Sequence, residues 1–166
     1  MSSISGVAEF PELIRNMFVT KEKNVAGITQ VQFYIRGKPW TFDIDSKFLF
    51  KNPDYSGGDD KLEYAYINTY EVAQTVMWAP LLEKAWAKIK GNYMQADGGF
   101  IATGLTSVTG APVFSYLISE IGSTESDKMT LDETFTLISQ ADTAEYIMGV
   151  GTSGSSDTLF NYCGIA

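Results

Sequence analysis

The 166-residue chain contains no histidine and a single cysteine, Cys163. A Cys–His or Ser–His–Asp mechanism needs an imidazole that exchanges a proton near neutral pH, so this sequence assembles neither by itself. The same scarcity excludes an ordinary structural zinc site. One cysteine permits no internal disulfide, which favours a reducing, cytoplasmic location. Cys163 follows an apolar, strand-like stretch and lacks a histidine partner, so we interpret it as a structural thiol rather than a nucleophile.

Long apolar runs and clusters of positive charge are also missing. No run approaches the roughly 20 apolar residues that span a bilayer, and the N-terminus lacks the basic start and apolar core of a secretory signal. The chain has 12 basic and 20 acidic residues, a net charge of −8. Phosphate binding needs clustered Lys and Arg, so we predict no nucleic-acid partner and no membrane span.

What is present is a globular sequence with 45% apolar residues, long enough to bury a core as one domain or parts of two small lobes. The spacing of Leu13, Ile14, Met17 and Phe18 predicts helix over residues 1–20, with a break near Pro11. Alternation over residues 27–47 predicts a hairpin whose two apolar sets are Val31, Phe33, Ile35 and Trp40, Phe42, Ile44, with its turn at Arg36-Gly37-Lys38-Pro39.

Two groups of acidic residues suggest acid–base or metal chemistry. Asp43 and Asp45 could form a carboxylate pair, but we interpret them as solvent-facing residues at a strand end. Residues 51–60 contain Asn52, Asp54, Asp59 and Asp60, whose spacing does not match an EF-hand, so a surface loop is the preferred interpretation over a weak cation site.

Residues 78–111 carry the most informative pattern. Pro80 suits the first position of a helix and Gly91 the residue just past its end. One face of this helix is apolar and is predicted to be buried: Leu81, Leu82, Ala85, Trp86 and Ile89. Gly98 and Gly99 then leave the backbone free of Cβ atoms, and the chain breaks again at Thr109-Gly110-Ala111-Pro112.

This order of parts resembles the calpain-type branch of the papain-like cysteine proteases. The matching residues are Trp78, Leu81-Leu82-Glu83-Lys84-Ala85-Trp86-Ala87-Lys88, Gly91-Asn92-Tyr93, Gly98-Gly99 and Thr109-Gly110. Ser2-Ser3-Ile4 is similar to the family's helix just after its nucleophilic cysteine. The resemblance implies an α+β, papain-like fold with an incomplete second lobe: residues 1–109 as the nucleophile-side lobe, lacking the Cys, and residues 110–166 as the start of the β-rich lobe, lacking the His and Asn.

The resemblance also implies functional positions. Gly98 and Gly99 would line the substrate cleft and let an extended peptide hydrogen-bond to the backbone. A calcium ligand of the family would fall at Val76, which offers no oxygen, so no cofactor is expected in this chain. In the second lobe, the capping box Thr130-Leu131-Asp132-Glu133 predicts a helix whose residues Leu131, Phe135 and Ile138 are buried. Residues 145–150 are predicted to form a buried strand.

The resemblance therefore implies a partial domain from a family of calcium-dependent, intracellular cysteine endopeptidases that act on peptide or protein substrates, and this chain is predicted to be inactive alone. The rest of its own protease domain would be its partner. The alternative is a non-catalytic pseudoprotease that binds extended peptides through Gly98 and Gly99. A stable monomer favours the second hypothesis. A partial domain that lacks strands of its second lobe would leave sheet edges unpaired, and unpaired edges tend to aggregate. A third hypothesis is complementation, in which separate chains bring the Cys and the His.

Overall fold

The computed structural model describes residues 2–50, 62–65, 67, 76–96, 98–117 and 129–151. These residues form six helices and one antiparallel two-stranded sheet, in the order α1 (Ser2–Val7), α2 (Pro11–Met17), β1 (Ile28–Ile35), β2 (Lys38–Asp45), α3 (Trp78–Lys90), α4 (Tyr93–Ala96), α5 (Ile101–Thr109) and α6 (Leu131–Thr143). This mixture agrees with the predicted α+β class. None of the helices in these ranges is both long and apolar enough to cross a bilayer.

The N-terminal helices confirm the predicted break near Pro11. α1 ends at Val7 and α2 begins at Pro11, where the fixed φ of proline suits a helix start and its missing N–H has no helical acceptor to lose. Val7, Ile14 and Met17 are buried. Both helices therefore direct an apolar face toward the core.

β1 and β2 form the predicted hairpin, but its turn is shorter than expected. Ile35 pairs with Lys38, which leaves Arg36 and Gly37 as a two-residue turn and places Pro39 in β2. Both turn residues have positive φ, 52° and 74°. This is the geometry of a type I′ turn, whose twist matches that of the flanking strands.

Two lysines of α3 cover the outer edge of β2. The Lys84 amine donates to the backbone carbonyl oxygens of Asp45 (3.1 Å) and Lys47, and the Lys88 amine donates to that of Asp43. Unpaired carbonyls on an edge strand are a template for pairing with another chain, and lysine side chains commonly prevent this. The lysines therefore attach α3 to the hairpin and close its exposed edge.

The predicted apolar face of α3 is confirmed. Leu82 and Ala85 are fully buried, and the ring of Trp86 lies 5.7 Å from the ring of Phe33 on β1, measured between centroids. The remaining members of this face, Leu81, Trp86 and Ile89, are partly buried against the same core. Periodicity alone was sufficient to identify the buried face because this helix packs along one stripe.

The ends of α3 differ slightly from the prediction. The helix begins at Trp78, so Pro80 is its third residue rather than its first. Proline is tolerated there because the N–H groups of the first turn have no helical acceptor. Gly91 follows the last residue with φ 103°, as predicted for the position that ends the helix.

α5 ends at the predicted break, and the glycine that follows it is tightly packed. Gly110 has a left-handed φ of 71°, and its N–H donates to the carbonyl of Thr106. A Cβ built on Gly110 would lie 2.7 Å from Cδ1 of Tyr34. The ring of Tyr34 therefore lies directly against the glycine backbone, which joins the end of α5 to β1.

α6 has the predicted capping box but not the predicted burial. Thr130 Oγ1 accepts a hydrogen bond from the Glu133 N–H at 3.2 Å, and Glu133 Oε2 accepts one from the Thr130 N–H at 2.8 Å. The prediction that its apolar face is buried is wrong, because Leu131, Phe135 and Ile138 are 70%, 74% and 50% exposed. The helical period reveals an apolar face, but it does not supply the element that would cover it.

The prediction of a buried strand over residues 145–150 is also wrong. Tyr146, Met148 and Val150 are 69%, 45% and 78% exposed, and this segment pairs with no strand in the described part of the chain. Ile147 is the exception, since it packs against the core. The other residues of the segment are exposed, and the segment lacks a hydrogen-bonded neighbour among the described residues.

Candidate functional site

Gly98 and Gly99 lie on the surface between α4 and α5, with φ of 73° and 139°. Apart from chain neighbours, no atom of the described residues lies within 4 Å of a Cβ built on either glycine. Packing therefore does not require glycine here, but the backbone conformation does, most strictly at Gly99. The result is a stretch of main chain that another chain can approach closely.

The start of α5 lies next to this glycine pair and contacts residues 147–151. A Cβ built on Gly149 would lie 3.0 Å from Cγ2 of Ile101, and one built on Gly151 would lie 3.7 Å from its Cδ1. Ile101 is two residues after Gly99. The segment 147–151 therefore crosses the N-terminal end of α5 beside the glycine pair.

The same segment also contacts α1. A Cβ built on Gly6 would lie 3.8 Å from Cγ2 of Ile147 and 3.9 Å from the carbonyl oxygen of Met148. α1 in turn packs along α5, and Ile4 is buried between these elements and the core. Three segments far apart in sequence thus meet in one place: α1, the start of α5 after the glycine pair, and residues 147–151. The side chains of Ser2 and Ser3 lie outside the described part.

The two acidic candidates on β2 are both exposed, as predicted, and each has a basic or amide partner. Asp45 Oδ1 lies 2.7 Å from the amine of Lys84, and Asp43 Oδ1 accepts a hydrogen bond from Gln30 at 2.8 Å. The hydrogen bond from Lys84, with a second one from the Lys47 N–H, lowers the pKa of Asp45. An ionised, lysine-bound carboxylate at a strand end links β2 to α3 and is not arranged as a general acid.

Another arrangement of titratable groups was not predicted from the sequence. The rings of Tyr64 and Tyr93 stack with centroids 4.1 Å apart, and Glu83 Oε2 accepts a hydrogen bond from the Ala65 N–H at 2.7 Å. Burial raises the pKa of Tyr93, and the negative charge of Glu83 adds to this. Glu83, in the motif that carries the resemblance, thus anchors residues 62–65 to α3. No local spacing could have predicted a contact between residues so far apart.

Comparison with known proteins identifies the family. The model of the calpain family of cysteine proteases matches residues 1–162, nearly the whole chain. The chain belongs to the calpain family. The residues matched include α1, the glycine pair and residues 147–151, so the three segments that meet in the structure are all parts of the calpain domain.

Similarity to individual calpains covers a smaller part of the chain. A calpain-type cysteine protease of rice, Oryza sativa subsp. japonica, is 29% identical over 109 residues, which is 64% of this chain and 5% of the relative. Calpain-B of Drosophila melanogaster is 32% identical over 99 residues, 60% of this chain and 10% of the relative. Calpain-A of the same fly is 34% identical over 89 residues, 54% of this chain and 9% of the relative. The chain therefore spans a tenth or less of the length of these calpains.

The calcium-binding position expected from the calpain pattern is occupied by a half-buried Val76, just before α3. Within the described ranges, no three acidic, histidine or cysteine side chains lie close enough to share a metal ion. The possible cation loop at residues 51–60 and the single thiol at Cys163 lie outside the described residues.

Proposed function

We propose that this chain is part of the catalytic domain of a calpain-like cysteine endopeptidase, with a papain-like fold. Its first lobe would be formed by residues 1–109 and its second would begin at residue 110. The family match supports this proposal. So does the end of α5 at the left-handed Gly110, after which residues 111–117 continue without helix.

The open backbone at Gly98 and Gly99 carries the functional proposal. Extended peptides bind to exposed backbone by main-chain hydrogen bonds, and glycine lets another chain approach the backbone closely because it has no Cβ. Both glycines are exposed and have positive φ, so the sequence keeps side chains out of this surface. We place the substrate backbone along Gly98 and Gly99, beside the start of α5.

Catalysis itself requires groups that this chain does not contain. Thiolate attack on a peptide bond needs a base that first takes the thiol proton and then protonates the leaving amine. The sequence has no histidine for that step, so we expect no peptidase activity from this chain alone. Val76 contributes no calcium ligand, so we also expect no calcium dependence of its stability.

The absence of histidine also favours a second candidate, a pseudoprotease that binds extended peptides without cleaving them. The two candidates share the glycine surface and differ in chemistry. Complementation by another chain that supplies both the nucleophilic cysteine and the base would restore cleavage in the first case only.

The first experiment measures cleavage of fluorogenic peptides by the purified chain, with and without calcium. We expect no hydrolysis above the buffer rate. Hydrolysis that is abolished by a thiol alkylator would contradict the proposed inactivity. A rise in melting temperature with millimolar calcium, but not with magnesium, would contradict the proposed lack of a calcium site.

The second experiment tests the glycine surface with matched variants. Gly98→Asn and Gly37→Asn replace glycines with nearly equal φ, 73° and 74°, and with equally open surroundings among the described residues; asparagine tolerates this conformation. We expect Gly98→Asn to weaken binding of an unstructured peptide pool without Asp or Glu, measured by fluorescence anisotropy, and Gly37→Asn to leave it unchanged. Equal effects of both variants would mean that Gly98 and Gly99 are not part of the binding site.

A further inference from the structure

We propose that the hairpin tip and the end of α3 form a binding surface for an acidic peptide segment that carries an apolar residue. This basic–aromatic patch consists of Arg36, Lys38, Trp40, Trp86, Lys88 and Lys90. The proposal is independent of the proteolytic function, because it uses none of the residues assigned to the cleft.

A short chain of contacts brings the two halves of the patch together. Trp40 is directly opposite Phe33 across the hairpin, so the two side chains lie on the same face of the sheet. Phe33 contacts Trp86 on α3, and the amine of Lys90 lies 5.0 Å above the Trp86 ring. Lys38, two residues before Trp40, is on that face too.

The charge of the patch differs from that of the molecule. The whole chain has a net charge of −8, yet the patch holds four cations and no carboxylate. Among the described residues, neither Arg36, Lys38 nor Lys90 lies within ion-pair distance of an acidic side chain, and the Lys88 amine is bound to a backbone carbonyl. Four positive charges on an acidic protein attract a complementary anionic ligand.

The exposed indole indicates what else the ligand carries. Trp40 is 55% exposed, although tryptophan has the largest apolar surface to bury and is a frequent anchor of interfaces. The ligand that fits is therefore a short extended segment of glutamates or aspartates with one apolar side chain against Trp40.

The test uses a fluorescein-labelled peptide of about ten glutamates with one central leucine, titrated with the intact chain and followed by anisotropy. We expect binding that weakens as salt rises, because exposed charges are screened. The double variant Arg36→Asn/Lys38→Gln should weaken binding roughly tenfold, which is about 1.4 kcal/mol for the two exposed charges together. Asparagine before glycine is the preferred type I′ turn, so this variant keeps the hairpin.

Controls separate the patch from non-specific charge effects. Lys21→Gln/Lys23→Gln removes the same net charge from another exposed surface and should leave the affinity unchanged. Trp40→Ser should weaken binding of the leucine-containing peptide but not of an all-glutamate peptide. Equal losses in both double variants would overturn the proposal, and so would binding to phosphatidylserine vesicles without binding to the peptide.

Discussion

Gly110 and Gly37 share almost the same backbone conformation but have different surroundings. Their φ angles are 71° and 74°. Gly110 lies against the ring of Tyr34, whereas no atom of the described residues stands within 4 Å of a Cβ built on Gly37. Backbone conformation alone favours glycine at position 37. At position 110, lack of space for a Cβ is a second reason.

Replacement of each glycine by alanine should show this difference in stability. Gly37→Ala should lower the free energy of unfolding by about 1–2 kcal/mol, the cost of a Cβ in the left-handed region. Gly110→Ala should lower it by about 1–3 kcal/mol more, because the Tyr34 ring must move as well. Urea unfolding followed by tryptophan fluorescence measures both values. Equal losses would mean that the ring moves aside without cost.

Lys84 and Lys88 provide a second matched pair at the residue scale. Lys84 lowers the pKa of Asp45, whereas Lys88 donates to a backbone carbonyl. In Lys84→Met we expect the pKa of Asp45 to rise toward its ordinary value, and in Lys88→Met to stay low. Since the folded-state pKa is depressed, the contribution of this pair to stability is present above the ordinary Asp pKa and is lost as pH falls through the folded value. Carboxyl carbon NMR titration measures the pKa of Asp45. An unchanged pKa in Lys84→Met would mean that Lys84 is not the cause of the lowered value.

At the scale of elements, α6 shows that a helix can be well capped and still poorly buried. Its capping box is complete, while none of its side chains is buried. Its stability therefore depends on local interactions, which for an isolated helix of this length are marginal. The cap should consequently have a large effect on α6 and a small effect on the rest of the fold.

Thr130→Ala and Thr136→Ala test this dependence within one helix. Thr130 caps the N-terminus, whereas the Thr136 hydroxyl donates to the carbonyl of Asp132 inside the helix. We expect Thr130→Ala to accelerate amide exchange in α6 about fivefold, as a cap contributes about 1 kcal/mol, and Thr136→Ala to slow exchange slightly, since alanine favours helix. Thr130 also lowers the pKa of Glu133, so α6 should fray as pH falls through that depressed value. Similar exchange in the two variants would exclude the cap as the main stabiliser.

Across the whole molecule, burial is uneven. Leu82 and Phe33 are almost completely buried in the core formed by α3 and the hairpin, whereas Leu131, Phe135 and Ile138 of α6 are exposed. Regions with few buried apolar contacts open at lower free energy than the core. Hydrogen exchange followed by mass spectrometry should show protection of α3 that is at least about a hundredfold greater than that of α6. Protection of α6 at the level of α3 would mean that another surface covers its apolar face.

The sequence predicted those elements whose pattern and partner are both local. The hairpin and the buried face of α3 followed from periodicity, and the capping box of α6 followed from four consecutive residues. The exposure of Phe135 and the lack of a strand partner for Ile147 could not be predicted, because both depend on what packs against them. The ion pair between Lys84 and Asp45 was missed for the same reason, as it joins residues 39 positions apart.

The meeting of α1, the start of α5 and residues 147–151 was likewise not visible in the sequence. The calpain-type motifs identified the glycine pair, but the contact of Ile101 with Gly149 depends on small residues that no motif singled out. The resemblance therefore identified segments that carry the family pattern, and the fold brings them together.

The shielding of Lys84 has a practical consequence. Its side chain is only 19% exposed, because its amine is held by carbonyls of the hairpin edge, while Lys23 and Lys38 are open to solvent. A reagent that acylates free amines will therefore modify those two lysines first and reach Lys84 only when α3 separates from β2. The rate of acylation at Lys84, read by peptide mass mapping, reports how often this contact opens in the intact protein.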